Sequence, residues 1–187
     1  MTSHLITQAL EEHISAIETV PALAPAITEA AALVTDVLLS EGKLLICGNG
    51  GSAADAQHFA AELTGRFETE RQGYPAIALT TDTSALTAIS NDYGFERIFS
   101  RQVEALSKPG DLLFVISTSG NSENLVHATE TAQCRGVKVI GLLGRDGGLL
   151  AQKIDLPIVV GAPRTASIQE VHIFIIHLLC TLFEAQA

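Results

Sequence analysis

The chain has 187 residues, 47% of them hydrophobic and 17% charged, with a formal net charge of -10. One core serves a chain of this length, so two independent domains are not expected, and the generous apolar share predicts surface buried between subunits. So acidic a balance lacks the clustered Lys and Arg that phosphate-backbone affinity requires, which argues against nucleic acid as a partner.

The N-terminus, Met1-Thr2-Ser3-His4, has no basic segment leading into an apolar core, and no window holds about 20 uninterrupted apolar residues. Neither secretion nor membrane insertion is indicated, and the cytoplasm is the expected compartment. Apolar residues then recur at helical spacing over residues 5–20 and 26–39, with Pro21 and Pro25 punctuating the two runs, which predicts two opening helices. The short apolar run Lys43-Leu44-Leu45-Ile46-Cys47-Gly48 predicts a strand, and residues 52–66 a helix with Ser52 as its N-cap.

The pattern repeats. Residues 76–80 read as a strand, 84–89 and 95–106 as helices, 111–116 as a strand and 123–135 as a helix. Two more strands, 137–142 and 156–160, precede a closing apolar helix over 168–183. The strands are nearly continuous apolar runs, as a parallel sheet covered on both faces requires, so the expected fold is a doubly wound α/β domain with five parallel strands. In such sheets ligands sit beyond the carboxyl ends of the strands, which directs attention to the loops after the first and third.

The first of these, Gly48-Asn49-Gly50-Gly51-Ser52, has three glycines that let the backbone approach a ligand ahead of a helix N-terminus. It lacks the Gly-Lys-Ser/Thr of a Walker loop, and Ala53 stands where a dinucleotide fingerprint needs its last glycine; a tight structural turn is the plainer alternative. The second, Ser117-Thr118-Ser119-Gly120-Asn121-Ser122, offers four hydroxyls at a helix N-terminus, and capping needs only one. Phosphate binding without lysine is the expectation there.

His58 and Glu62 are four residues apart on a largely apolar helix and share one face; a carboxylate so placed suits proton transfer, though an ordinary ion pair on a solvated face has the same spacing. The closing helix places Gln169, Glu170, His172 and His177 among aliphatic and aromatic residues, where a histidine serves a core as readily as a ligand set. Gln169 and His177 are separated by about 12 Å of helix rise, so convergence on one ion needs long side chains or another subunit. Cys47, Cys134 and Cys180 form no Cys-x-x-Cys pair and read as buried free thiols, with a reactive Cys47 the alternative.

Five motifs in order, Cys47-Gly48-Asn49-Gly50-Gly51-Ser52, His58-Phe59-Ala60-Ala61-Glu62-Leu63-Thr64-Gly65-Arg66, Asn91-Asp92-Tyr93-Gly94-Phe95, Ser117-Thr118-Ser119-Gly120-Asn121-Ser122 and Ile168-Gln169-Glu170-Val171-His172, carry a resemblance that runs nearly end to end. The chain resembles the phosphoheptose isomerases of the SIS (sugar isomerase) superfamily, which convert sedoheptulose 7-phosphate to D-glycero-D-manno-heptose 7-phosphate for the heptose units of the cell envelope. The resemblance implies a single SIS-type domain, with residues 1–40 as packing and oligomerisation helices and 41–187 as the sugar-phosphate core. It implies catalysis by Glu62 and His177 through an enediol. Substrate contacts are implied for Asn49, Gly50, Gly51, Glu62, Asn91, Asp92, Ser117, Thr118, Ser119, Ser122 and Gln169.

It further implies one Zn2+ per subunit, held by His58, Glu62, Gln169 and His177, and a homotetramer with sites at subunit contacts. Ser167 departs from the pattern, which has a basic residue there. A similar non-catalytic relative binds the bacterial replication initiator and differs at the positions matching Glu62 and His177, both kept here. Because Phe67-Glu68-Thr69-Glu70-Arg71 looks like a stretch of that relative, a non-catalytic protein binding a phosphosugar or the initiator is the alternative expectation.

Overall fold

In the computed structural model, which describes residues 2–186, the five apolar runs form five parallel strands. They are β1 (Leu44–Gly48), β2 (Ala76–Ala78), β3 (Leu112–Ser117), β4 (Lys138–Gly144) and β5 (Leu156–Val160), arranged in the order β2-β1-β3-β4-β5. Alternate residues of β1 enter different cores: Leu44 and Ile46 lie on one face, Leu45 and Cys47 on the other. Both faces are therefore apolar, and each fully buried Leu, Ile or Phe contributes about 1.5–3 kcal/mol.

On the first face lie α1 (Thr2–Ile17), α2 (Val20–Leu39), α3 (Gly51–Thr64) and α8 (Thr165–Glu184). Phe59 of α3 meets Phe114 of β3 edge to face, with centroids 5.2 Å apart. The second face is covered chiefly by α5 (Ser100–Leu106) and α6 (Glu123–Cys134), whose Val103, Leu125 and Ala128 pack over Leu113 and Val115. By length and composition α2 and α8 would each span a membrane. Here they pack against one another, each burying a stripe, as the core helices of a soluble fold do.

Several local expectations are corrected. Pro25 lies inside α2, on its solvent side, where the Pro21 carbonyl it leaves unpaired can meet water. The N-cap of α3 is Gly50 (φ 56°), and Ser52 is buried in the first turn. Helix α4 (Thr83–Tyr93) runs through Asn91 and Asp92 and stops at Gly94 (φ 92°), which also separates it from the 3-10 turn Phe95–Arg97 that precedes α5. A short helix, α7 (Gly148–Ala151), lies between β4 and β5. Cys47 and Cys180 are buried and Cys134 is exposed; burial pushes both buried thiols up, Cys180 to about 12, which removes the reactive reading of Cys47.

Candidate active site

The strand order reverses direction between β1 and β3, so the chain leaves these neighbours towards opposite faces and opens a crevice at their carboxyl ends. Gly48 pairs with Ile116 in register, which sets the two loops side by side. Their side chains then lock: Asn49 Nδ2 donates to Asn124 Oδ1 (2.9 Å) and Asn124 Nδ2 to Asn49 Oδ1 (2.8 Å). Each carboxamide keeps one N–H and one acceptor position free. Asn124 is only 3% exposed and was not singled out from the sequence, since an Asn in a first helical turn reads as local capping.

The hydroxyls of the second loop divide their work. Ser117 Oγ accepts the Gly120 N–H (3.0 Å) and Ser119 Oγ the Asn121 N–H (3.2 Å), bonds that shape the turn. Gly120 (φ 66°) is required, because a Cβ there would lie 2.0 Å from the Gly147 carbonyl. Asn121 Oδ1 accepts from Leu149 N (3.0 Å), docking α7 on the loop. Ser122 occupies the N-cap of α6 without capping it, and neither its hydroxyl nor that of Thr118 is hydrogen-bonded among the described residues. Two half-buried hydroxyls and the unpaired N–H groups of a helix start thus face the crevice rim, a donor set suited to a phosphate.

The second half of the site lies between α3 and α8. His58 Nε2 stands 2.9 Å from His177 Nε2 and 3.2 Å from Glu62 Oε1, and His177 stacks on Phe67 with centroids 5.7 Å apart. One imidazole donates to the other. Two imidazoles and a carboxylate are the donors of a zinc site with an open position. Among the described residues no three His, Cys, Asp or Glu side chains stand ready as a metal cluster. Ligands at roughly 2.0–2.1 Å from one tetrahedral ion are about 3.3 Å apart, so the imidazoles need to separate by only a few tenths of an ångström. The donors therefore fit zinc by chemistry, with a small adjustment in spacing.

Gln169 is placed elsewhere in this chain. Its carboxamide lies against Gly51, where a Cβ would approach within 2.0 Å, and Gly51 precedes His58 by seven residues, about 10 Å of helix rise. Gln169 thus belongs to the glycine loop and is not brought to the two histidines. Asn91 and Asp92 are exposed on α4, joined by a 2.8 Å hydrogen bond. Ser167 is buried in the first turn of α8 and lines a cavity with Glu12 and Arg164, an ion pair at 2.7 Å. His172 is a core histidine: it is fully buried, its Nε2 lies 3.1 Å from the Leu143 carbonyl, and burial pushes its pKa down to about 4.

Asp55, one turn before His58, escaped sequence reasoning although an acid on an apolar face was visible. It is 7% exposed, its Oδ2 has no partner among the described residues, and burial pushes its pKa up to about 6 against the opposing pull of His58.

A SIS domain family model matches residues 8–144. The phosphoheptose isomerase of Campylobacter concisus is 56% identical over 180 residues, covering 96% of this chain and 95% of the relative. Among solved structures, the phosphoheptose isomerase of Neisseria gonorrhoeae superposes with a TM-score of 0.94 at 48% identity, covering 99% of this chain and 100% of that one. That of Francisella tularensis does so with 0.95 at 44%, covering 99% of each.

Two outcomes follow from this geometry. Ser122→Ala is expected to weaken phosphosugar binding by about 1.5–3 kcal/mol in calorimetry, since a hydroxyl that caps nothing has only the ligand to lose; a fall in melting temperature with unchanged affinity would assign it to the helix instead. For Asp55, the folded pKa lies above the ordinary 3.8, so its contribution to stability is greatest below about pH 4 and is lost as pH rises through about 6. In metal-free protein, Asp55→Asn is expected to gain on wild type by roughly 1–3 kcal/mol between pH 4.5 and 7.5, whereas parallel stability curves would show that the carboxylate is solvated.

Proposed function

The chain belongs to the phosphoheptose isomerase family of SIS-domain proteins, and from that membership we propose that it interconverts sedoheptulose 7-phosphate and D-glycero-D-manno-heptose 7-phosphate. It is an isomerase, and its substrate is a phosphorylated seven-carbon sugar. The observation that carries the mechanism is that His58 joins Glu62, one turn on along α3, to His177 of α8, which brings a carboxylate and two imidazoles together. The phosphate sits on Thr118, Ser119, Ser122 and the start of α6; Asn49, Gly50, Gly51 and Gln169 line the sugar beside it, and Ser117 shapes the turn. Asn91 and Asp92 supply sugar contacts from α4.

Glu62 Oε1 faces His58, leaving Oε2 to accept the proton on the carbon beside the carbonyl. The electrons of that C–H bond form the enediol double bond. His177 takes the proton of the neighbouring hydroxyl and delivers one to the former carbonyl oxygen. Glu62 then returns its proton to the adjacent carbon, completing an exchange that needs no external oxidant or reductant. Holding these groups and the sugar in register converts a bimolecular proton transfer into a unimolecular one.

We assign His58, Glu62 and His177 to Zn2+; when bound, the ion polarises the carbonyl and hydroxyl oxygens as a Lewis acid. The exposed apolar residues Leu5, Ile6 and Leu10 on α1 and Phe174 on α8 support assembly into a homotetramer, with α4 available to a neighbour's site. The cytoplasm is the compartment that suits a reaction on phosphorylated sugars, and the product supplies heptose for the cell envelope.

Glu62→Gln keeps shape but removes the basic oxygen, so kcat is expected to fall at least about a hundredfold at matched metal occupancy; turnover within about threefold of wild type would remove Glu62 from the mechanism. Elemental analysis is expected to find zinc in the purified protein and to lose it in His58→Ala. Turnover that survives chelation with no metal detected would reduce the two imidazoles to a hydrogen-bonded pair.

A further inference from the structure

The connection from α3 to β2, residues 65–75, has no regular structure, yet it is tied down by two charged side chains. Arg71 turns back on α3: its Nη2 donates to the Glu62 carbonyl (2.7 Å), and its Nη1 to the carbonyls of Leu63 (3.0 Å) and Gly65 (3.4 Å). These are carbonyls that the end of a helix leaves unpaired, and a cation is favoured there by the helix dipole. The Arg71 Nε donates to Glu184 Oε1 at 3.2 Å.

Glu184 is the last residue of α8, the unfavourable end of a helix for a carboxylate. It is compensated there by Arg71 and by three backbone donors, Phe67 N (3.2 Å), Glu68 N (3.2 Å) and Thr69 N (2.9 Å). Both side chains are largely buried, 12% exposed for Arg71 and 6% for Glu184, and the guanidinium lies over the rings of Tyr74 and Phe183. The stretch 67–71 that looked like an initiator-binding segment therefore spends three of its backbone N–H groups, those of Phe67, Glu68 and Thr69, within its own chain.

Two of these contacts reach the reacting groups. Arg71 holds the peptide carbonyl of Glu62 itself, and Glu184 holds the backbone of Phe67, whose ring stacks on His177 at an interplanar angle of 29°.

We propose that Arg71 and Glu184 are positioning residues of the isomerisation site, setting Glu62 through its backbone and His177 through Phe67. This rests on the assignment of Glu62 and His177 as the proton carriers. Arg71→Lys keeps the charge but loses the planar fork that reaches several carbonyls at once, and Phe67→Leu keeps the apolar packing but loses the ring on His177.

The test counts competent sites by calorimetric titration with sedoheptulose 7-phosphate in Glu62→Gln backgrounds of each variant, then expresses kcat per site in the otherwise native protein. A purely structural role reduces the number of sites and leaves turnover per site alone. The expected result for Arg71→Lys is a fall of about tenfold or more in kcat per site with KM little changed, as misplaced proton carriers produce. A fall smaller than about threefold would overturn the proposal. Should Arg71→Lys not fold, Phe67→Leu is judged by the same criterion, because it changes only the ring on His177 and keeps the backbone N–H that meets Glu184. Absence of turnover in wild-type protein would instead strike the assignment of the reaction.

Discussion

Two neighbouring parallel strands, β1 and β3, send the chain to opposite faces of the sheet, and the site depends on that divergence. The crevice it opens exposes the start of two helices, which bring unpaired N–H groups and partial positive charge without lysine. A crevice between loops is ordinarily soft. Here the reciprocal hydrogen bonds of Asn49 and Asn124 close it at the base, and Asn121 pins α7 beneath the hydroxyl loop. The pair of carboxamides also leaves Asn49 one donor and one acceptor in a fixed orientation, so the glycine loop and the hydroxyl loop are held at a set separation.

The proposed proton carriers come from a different part of the same frame. Helix α3 leaves the glycine loop and runs beside α8, so the face bearing His58 and Glu62 meets His177. The parallel course of the two helices explains why Gln169 meets Gly51 while His177, two turns further on, meets His58. It also places both carboxyl ends at the same edge, where Arg71 and Glu184 join them. In the proposed mechanism, phosphate grip and proton transfer are therefore assigned to separate sets of contacts, one on the hydroxyl loop and one between α3 and α8.

The strands were legible because each is a nearly continuous apolar run, the pattern of a parallel sheet covered on both faces. The helices of the first face were legible by their spacing, but Pro25 misled: proline breaks a helix when its missing hydrogen bond is buried, and this one faces solvent. The hydroxyl loop could be recognised by count, yet which hydroxyls hold the turn and which remain open depends on backbone geometry. The distance along α8 from Gln169 to His177 already meant that a shared ion needs long side chains or another subunit, and the contact of Gln169 with Gly51 gives that separation a place. Asn124, Asp55 and Arg71 were not legible as site residues, for each acts through partners remote in sequence or through the lack of one.

The central claim is that the chain isomerises a ketose phosphate by moving a carbon-bound proton through a side-chain base. It is tested most directly by incubating the metal-replete protein with sedoheptulose 7-phosphate in deuterated water and following the sugar by NMR to equilibrium. A base that carries the proton exchanges it with solvent over repeated turnovers. The account predicts that the aldose 7-phosphate forms and carries deuterium on the carbon beside the carbonyl. No aldose, or an equilibrium mixture free of deuterium at that carbon, would contradict it.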